Sequence, residues 1–137
     1  MGCDIHGPFI ERLVEPNPNL PVKEWWEPVA EMEGIRDYRL FGLLAGVRSR
    51  AEPVVPTNRG KPASLGWKAA MHMREDTGCH HRSWVTLDEM RIVSDAYRDP
   101  PDIDYGDTSE ADLMVALMEA VEARYEQPSR AVFCFDN

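Results

Sequence analysis

A chain of 137 residues with 43% apolar and 28% charged side chains has the composition of one ordinary globular domain, able to bury about two-thirds of its unfolded surface without a disulfide or structural metal. Its net charge of −9 argues against sequence-independent binding to long nucleic acid, which needs a broad basic footprint, and no apolar run is long enough for a membrane span or a signal peptide. A single domain over residues 1–137, cytoplasmic and without a membrane partner, is the expectation.

The opening residues, MGCDIH, begin an extended run that continues as GPFIERLV. Side chains alternate faces along a strand, so Asp4 and His6 share one face, with Cys3 and Ile5 on the other. A carboxylate beside an imidazole can bind a divalent metal, move a proton or hold a ligand, and the alternative is a polar pair facing solvent. Gly7-Pro8 interrupts the strand and predicts an edge position or a bulge. Met1-Gly2 does not signal myristoylation, because His6 stands where the motif needs Ser or Thr.

EPNPNLPV reads as a connecting loop. The segment from Glu24 to Met32 then predicts a second strand returning antiparallel to the first, with Trp25 and Trp26 packing against helices. Leu40, Leu43, Leu44 and Val47 follow helical spacing, with Asp37 as N-cap and with Gly42 and Gly46 inside the helix at a site of close approach. Residues 51–66 hold three prolines and two glycines, a long connection of the kind that binds something or covers a site.

Residues 67–74 predict a short helix. Thr86 and Glu89 form a capping box, with Leu87, Met90, Val93 and Tyr97 on the buried side of the helix that follows and Pro100 and Pro101 closing it. A last helix spans about 109–126, with Ser109 and Asp112 as a second box and Leu113, Leu117, Ala120 and Val121 facing the core. RAVFCFDN alternates as a strand, Val132 and Cys134 on one face, Phe133 and Phe135 on the other. Strands at both ends with helices between them predict an α+β fold: a small, largely antiparallel sheet of the N-terminal hairpin and the C-terminal strand, packed by three to four helices.

The candidate chemistry divides into four groups. Asp4 and His6 with His80 or His81 offer the N/O ligands of a zinc or other divalent-metal site and hence a hydrolase. A thiol version uses Cys3 and Cys79, and a Cys-His nucleophile is the third reading. The three cysteines are odd in number and unpaired in spacing, however, so reduced and buried thiols are the expectation for Cys3, Cys79 and Cys134. The acidic run 102–107 resembles a calcium loop but puts Gly106 and Leu113 where ligands are required, so it is excluded. P-loop, dinucleotide, G-x-S-x-G and H-E-x-x-H motifs are absent from the sequence.

Charge supplies the last signal. Between residues 36 and 61, Arg36, Arg39, Arg48, Arg50, Arg59 and Lys61 face only Asp37 and Glu52, a local charge of +4 in an acidic chain. Of these, Arg36, Arg39, Arg48, Arg59 and Lys61 are the candidates for gripping a small anion of nucleotide type, because guanidinium groups match phosphate oxygens. His6 and one of His80 and His81 are expected to face a common pocket with one of these arginines at its rim.

MGCDIH, RDYRLFGLLAGVR, HHRSWVTLDEM and RAVFCFDN together resemble a family of small, mostly uncharacterised proteins encoded by tailed bacteriophages, over nearly the whole chain. Arg82 stands where relatives carry a second histidine. The resemblance implies phage origin and fold unity, and with the arginine cluster the expectation is a non-structural accessory protein in the cytoplasm of an infected host, binding a small anionic ligand or a host partner. The other readings are a metal-dependent hydrolase and a module that occupies a host protein through Trp25 or Trp26.

Overall fold

The computed structural model describes residues 4–14, 25–47, 51–62, 66–74, 78–98 and 110–136. Cys3, Arg48, Arg50, Pro100, Pro101, the 102–107 acidic run and Ser109 lie outside them, as does the whole loop 15–24 after β1. The elements run β1 (Asp4–Val14), β2 (Trp25–Glu31), α1 (Tyr38–Ala45), α2 (Trp67–His72), β3 (His80–Thr86), α3 (Leu87–Tyr97), α4 (Glu110–Tyr125) and β4 (Ser129–Asp136). The fold is α+β. Its sheet has the order β2-β1-β4-β3 with every pair antiparallel.

The two chain ends therefore form the two central strands. Alternation in β4 sends Phe133 and Phe135 to one side and Val132 and Cys134 to the other, and both sides are buried. Phe133 and Phe135 join Ile5, Ile10 and Val85 against α1, α3 and α4 in the main core. Val132, Cys134 and Phe9 meet Ala69 and Met73, from α2 and its C-cap, in a smaller core on the opposite face.

Local rules explain the helix starts. Asp37 caps α1 by accepting from the Leu40 amide, and Thr86 and Glu89 complete the capping box of α3. Gly46 is not inside α1. It is the C-cap, at φ 70°, a left-handed conformation that glycine adopts without a Cβ penalty. Gly7-Pro8 makes a cis peptide at a register shift in β1, so the bulge alternative holds and the edge alternative does not.

Three expectations are corrected. The expected sheet of N-terminal hairpin and C-terminal strand gains a fourth strand, His80–Thr86, whose polar residues HHRS hide the alternation. In α4 the buried stripe is Ala111, Met114, Met118 and Val121, while Leu113 is 45% exposed, because the helix carries apolar residues on several faces and spacing alone does not choose between them. Cys79 and Cys134 form a disulfide with Cα atoms 5.8 Å apart, not a pair of reduced thiols. Pairing of β3 with β4 brings these cysteines together across 55 residues of chain.

Candidate functional site

Charged residues at inward positions of a strand need partners, and two of them build the site. Glu11, Arg130 and Thr86 lie in one cross-strand row on the α2 face of the sheet. Glu11 is fully buried and Arg130 only 5% exposed. Arg130 Nε donates to Glu11 Oε1 at 2.8 Å, and the other carboxylate oxygen accepts from the Gly66 amide at 2.6 Å. A Cβ on Gly66 would overlap Glu11 Oε2, so only glycine lets the start of α2 approach this closely. The Arg130 guanidinium lies 4.1 Å from the centroid of the Trp26 ring. A guanidinium thus faces the Trp26 ring, and its neighbour Trp25 is 45% exposed.

The same arrangement recurs at the sheet's other edge. The Arg59 guanidinium lies 4.1 Å from the Trp84 ring centroid, and its Nη1 donates to Glu89 Oε1 at 2.9 Å and to the Trp84 carbonyl at 3.0 Å. Nη2 of Arg59 also pairs with Glu89. Burial pushes the Glu89 carboxyl up, but the hydrogen bonds from Arg59 and Thr86 together with the Arg59 charge outweigh it, and the net pKa lies below the ordinary value. The connection 51–62 places Arg59 there: its Gly60 amide bonds the Arg82 carbonyl at 2.8 Å and the Arg59 amide bonds Ser83 Oγ at 3.2 Å, so it covers the edge of β3.

Between the two tryptophans lies a cleft of about 600 Å³, within the size range of small-molecule sites, walled by Trp26, Trp84, Pro62 and Leu87 and polar at Arg91, Glu122 and Arg130. Its cations are already paired with carboxylates, and its Glu122 is hydrogen-bonded by neutral donors. Arg130 is paired with Glu11, Arg91 donates to Asp88 at 3.0 Å and to Glu119 at 3.4 Å, and Glu122 accepts from the Ser129 amide and hydroxyl. A second cleft of about 430 Å³ shares Trp26 and adds Trp25 and Trp67, so all four tryptophans of the chain line these two spaces.

The arginines singled out by the sequence do not converge. Arg36 pairs with Asp4 at 2.6 Å near the start of β1. Arg39 donates to the Tyr97 and Ala96 carbonyls at 3.1 Å, where a cation complements the C-terminal end of α3. Arg59 stands behind Trp84, exposed Lys61 precedes the wall residue Pro62, and Arg48 lies outside the described residues.

The histidines separate as well. His6 pairs in register with Cys134 and His80 with Phe135; these consecutive residues of β4 face opposite ways, so His6 and His80 lie on opposite faces of the sheet. The expected common pocket of His6 with His80 does not form. His80 and His81 instead bring their Nδ1 atoms to 2.7 Å, and burial with the adjacent His80 charge holds the His81 pKa below its ordinary value. His6 bonds Asp136 through Nε2 and faces His72 through Nδ1. Among the described residues no group of three or more His, Cys, Asp or Glu is arranged to hold a metal, so Asp4, His6, His80 and His81 do not make the shared centre expected of them.

Glu11, Trp84, Arg130, His72 and Asp136 are not singled out as site residues in the sequence, and Glu89 reads there only as part of the capping box. The available signal was Glu11 and Arg130 themselves, each in phase with buried apolar neighbours, Phe9 for one and Val132 and Cys134 for the other. Comparison with protein-family models, curated proteins and solved structures finds no match to this chain.

Proposed function

We propose that this chain is a binding module whose site is the cleft between Trp26 and Trp84, and whose ligand is a small uncharged molecule with a planar ring, of nucleoside type. The observation that supports it is the repeated Trp-Arg-Glu arrangement: each indole is fixed by a guanidinium that is itself anchored by a carboxylate. Rings fixed in advance lose little freedom when a flat partner stacks beside them, which lowers the cost of binding. With Arg91 and Arg130 already paired to carboxylates, and with Asp88 and Glu122 also on the walls, the cleft favours a neutral ring over the anion expected from the arginine-rich segment.

Titration of the intrinsic tryptophan fluorescence with adenosine, uridine and their monophosphates tests this reading. Saturable quenching by a nucleoside, no tighter for its monophosphate and lost in Trp26→Ala and Trp84→Ala, is the expected result. No saturable change with either nucleoside up to millimolar concentration overturns it.

A second reading, occupation of a host protein, has its own support in the exposed side chains of Trp25, Trp67 and Met71. Trp67 and Met71 are one turn apart on α2. Trp67→Ala with Met71→Ala would abolish partner binding and leave nucleoside quenching in the first cleft intact.

An accessory role in a phage-infected cell rests on the resemblance of the opening and closing motifs. No helix among the described residues is long and apolar enough to cross a membrane. Action in the host cytoplasm requires that the Cys79–Cys134 disulfide withstand a reducing compartment, and burial of both residues shields it.

A further inference from the structure

We propose that His6 and His72 form a binding site for a divalent transition-metal ion of the zinc class, with Asp136 holding His6 in position. The site lies on the α2 face of the sheet, beside the smaller core and separate from the tryptophan cleft. An ionised carboxylate only accepts hydrogen bonds, so His6 Nε2, bonded to Asp136 Oδ2, carries the ring proton. The Nδ1 atom of neutral His6 therefore presents a lone pair, and it faces His72 Nδ1 at 3.1 Å. A metal about 2.0–2.1 Å from each nitrogen would see the pair at an angle of about 100°, between the octahedral and tetrahedral values. The separation already suits two ligands of one ion.

The positions of the two rings are fixed before any ion arrives. His6 stands on a central strand, opposite Cys134 of the disulfide, and the His72 ring packs on buried Phe9 with centroids 4.9 Å apart. The Asp136 contact supplies the carboxylate–histidine–metal relay that orients a ligating imidazole. His6 retains 25% and Asp136 37% side-chain exposure, so an ion can reach the site with part of its water shell. Among the described residues two imidazoles are the protein's share, and water can complete the coordination. On binding, the ion displaces the proton held between the two Nδ1 atoms, and no redox step is involved.

The other histidine pair offers a natural control. His80 and His81 are also close, with Nδ1 atoms 2.7 Å apart, but they are adjacent in sequence, and neighbouring residues rarely ligate one ion.

Zinc chloride titrated calorimetrically into the full chain, in a Cys3→Ser background that removes a competing thiol, tests the proposal. One zinc per chain is expected, with binding lost in His6→Gln and in His72→Gln and weakened about 10–100-fold in Asp136→Asn. The double variant His80→Gln/His81→Gln should bind as the parent does. Absence of zinc binding by the parent, survival of binding in folded His72→Gln, or loss in the His80/His81 variant overturns the assignment. Should a His6 or His72 variant fail to fold, the electron paramagnetic resonance spectrum of Cu²⁺ bound to the parent decides: two equatorial nitrogens support the site and fewer refute it.

Discussion

Glu11 and Arg130, 119 residues apart in the chain, meet at 2.8 Å in the interior of the sheet, one fully buried and the other nearly so. Neither charge has water to return to, so each depends on the other and on further partners, among them the Gly66 amide for Glu11 and the Trp26 ring for Arg130. Removing one member of such a pair leaves the other charge uncompensated, at a cost of about 3–5 kcal/mol, whereas replacing both by apolar groups of similar volume is often neutral. Glu11→Gln is therefore expected to lose most of the chain's stability in urea unfolding. Glu11→Leu/Arg130→Met should recover it while releasing Trp26 and losing nucleoside quenching. Recovery of both properties in the double variant would show that the ion pair does not position the ring.

What was legible in the sequence was local. Asp37, Thr86 and Glu89 announce helix starts because a cap acts within four residues, and the Val132/Phe133/Cys134/Phe135 alternation announces a strand buried on both faces. The site was not legible, because its parts are joined by strand pairing: Glu11 meets Arg130, and Arg59 meets Glu89, only once β1, β4 and β3 lie side by side. Histidine placement failed for the opposite reason. His6 and His80 were given one site from their chemistry, and the two-residue period of β4 puts them on opposite faces.

The strand order makes β4 the structural centre of the sheet. Deleting residues 131–137 takes away Phe133 and Phe135, whose burial is worth about 1.5–3 kcal/mol each, and also separates β1 from β3. With total stability on the order of 5–15 kcal/mol, the truncated chain is expected to give no cooperative thermal transition by circular dichroism. A transition at the parent's temperature would contradict the central position of β4.

The Cys79–Cys134 bond closes a long loop, with a sequence separation of 55. Chain-entropy reasoning assigns a closure of that length about 4 kcal/mol. Cys79→Ala/Cys134→Ala should lower the urea midpoint accordingly, and the parent should show the same decrease when a reductant is present throughout unfolding. Equal midpoints with and without reductant would mean that the bond does not form in solution.

Two groups connect stability to pH, in separate windows. Burial and the His80 charge hold the His81 pKa below 6.5, so the unfolded chain takes up a proton there more readily than the folded one, and stability falls as pH drops below about 6.5. Glu89 behaves likewise at lower pH. Burial alone would raise its pKa, but the Arg59 and Thr86 hydrogen bonds bring it below 4.5, so its contribution is fully present above that value and is lost as pH falls through the folded-state pKa. Thermal midpoints measured from pH 8 to pH 3 should therefore fall in two steps, with His81→Gln flattening the upper one and Glu89→Gln the lower one. Because Glu89 also anchors Arg59 behind Trp84, nucleoside quenching should weaken in the lower window together with stability. A Glu89→Gln variant whose midpoint falls as steeply as the parent's below pH 4.5 would show that the Arg59 pair carries none of the acid sensitivity.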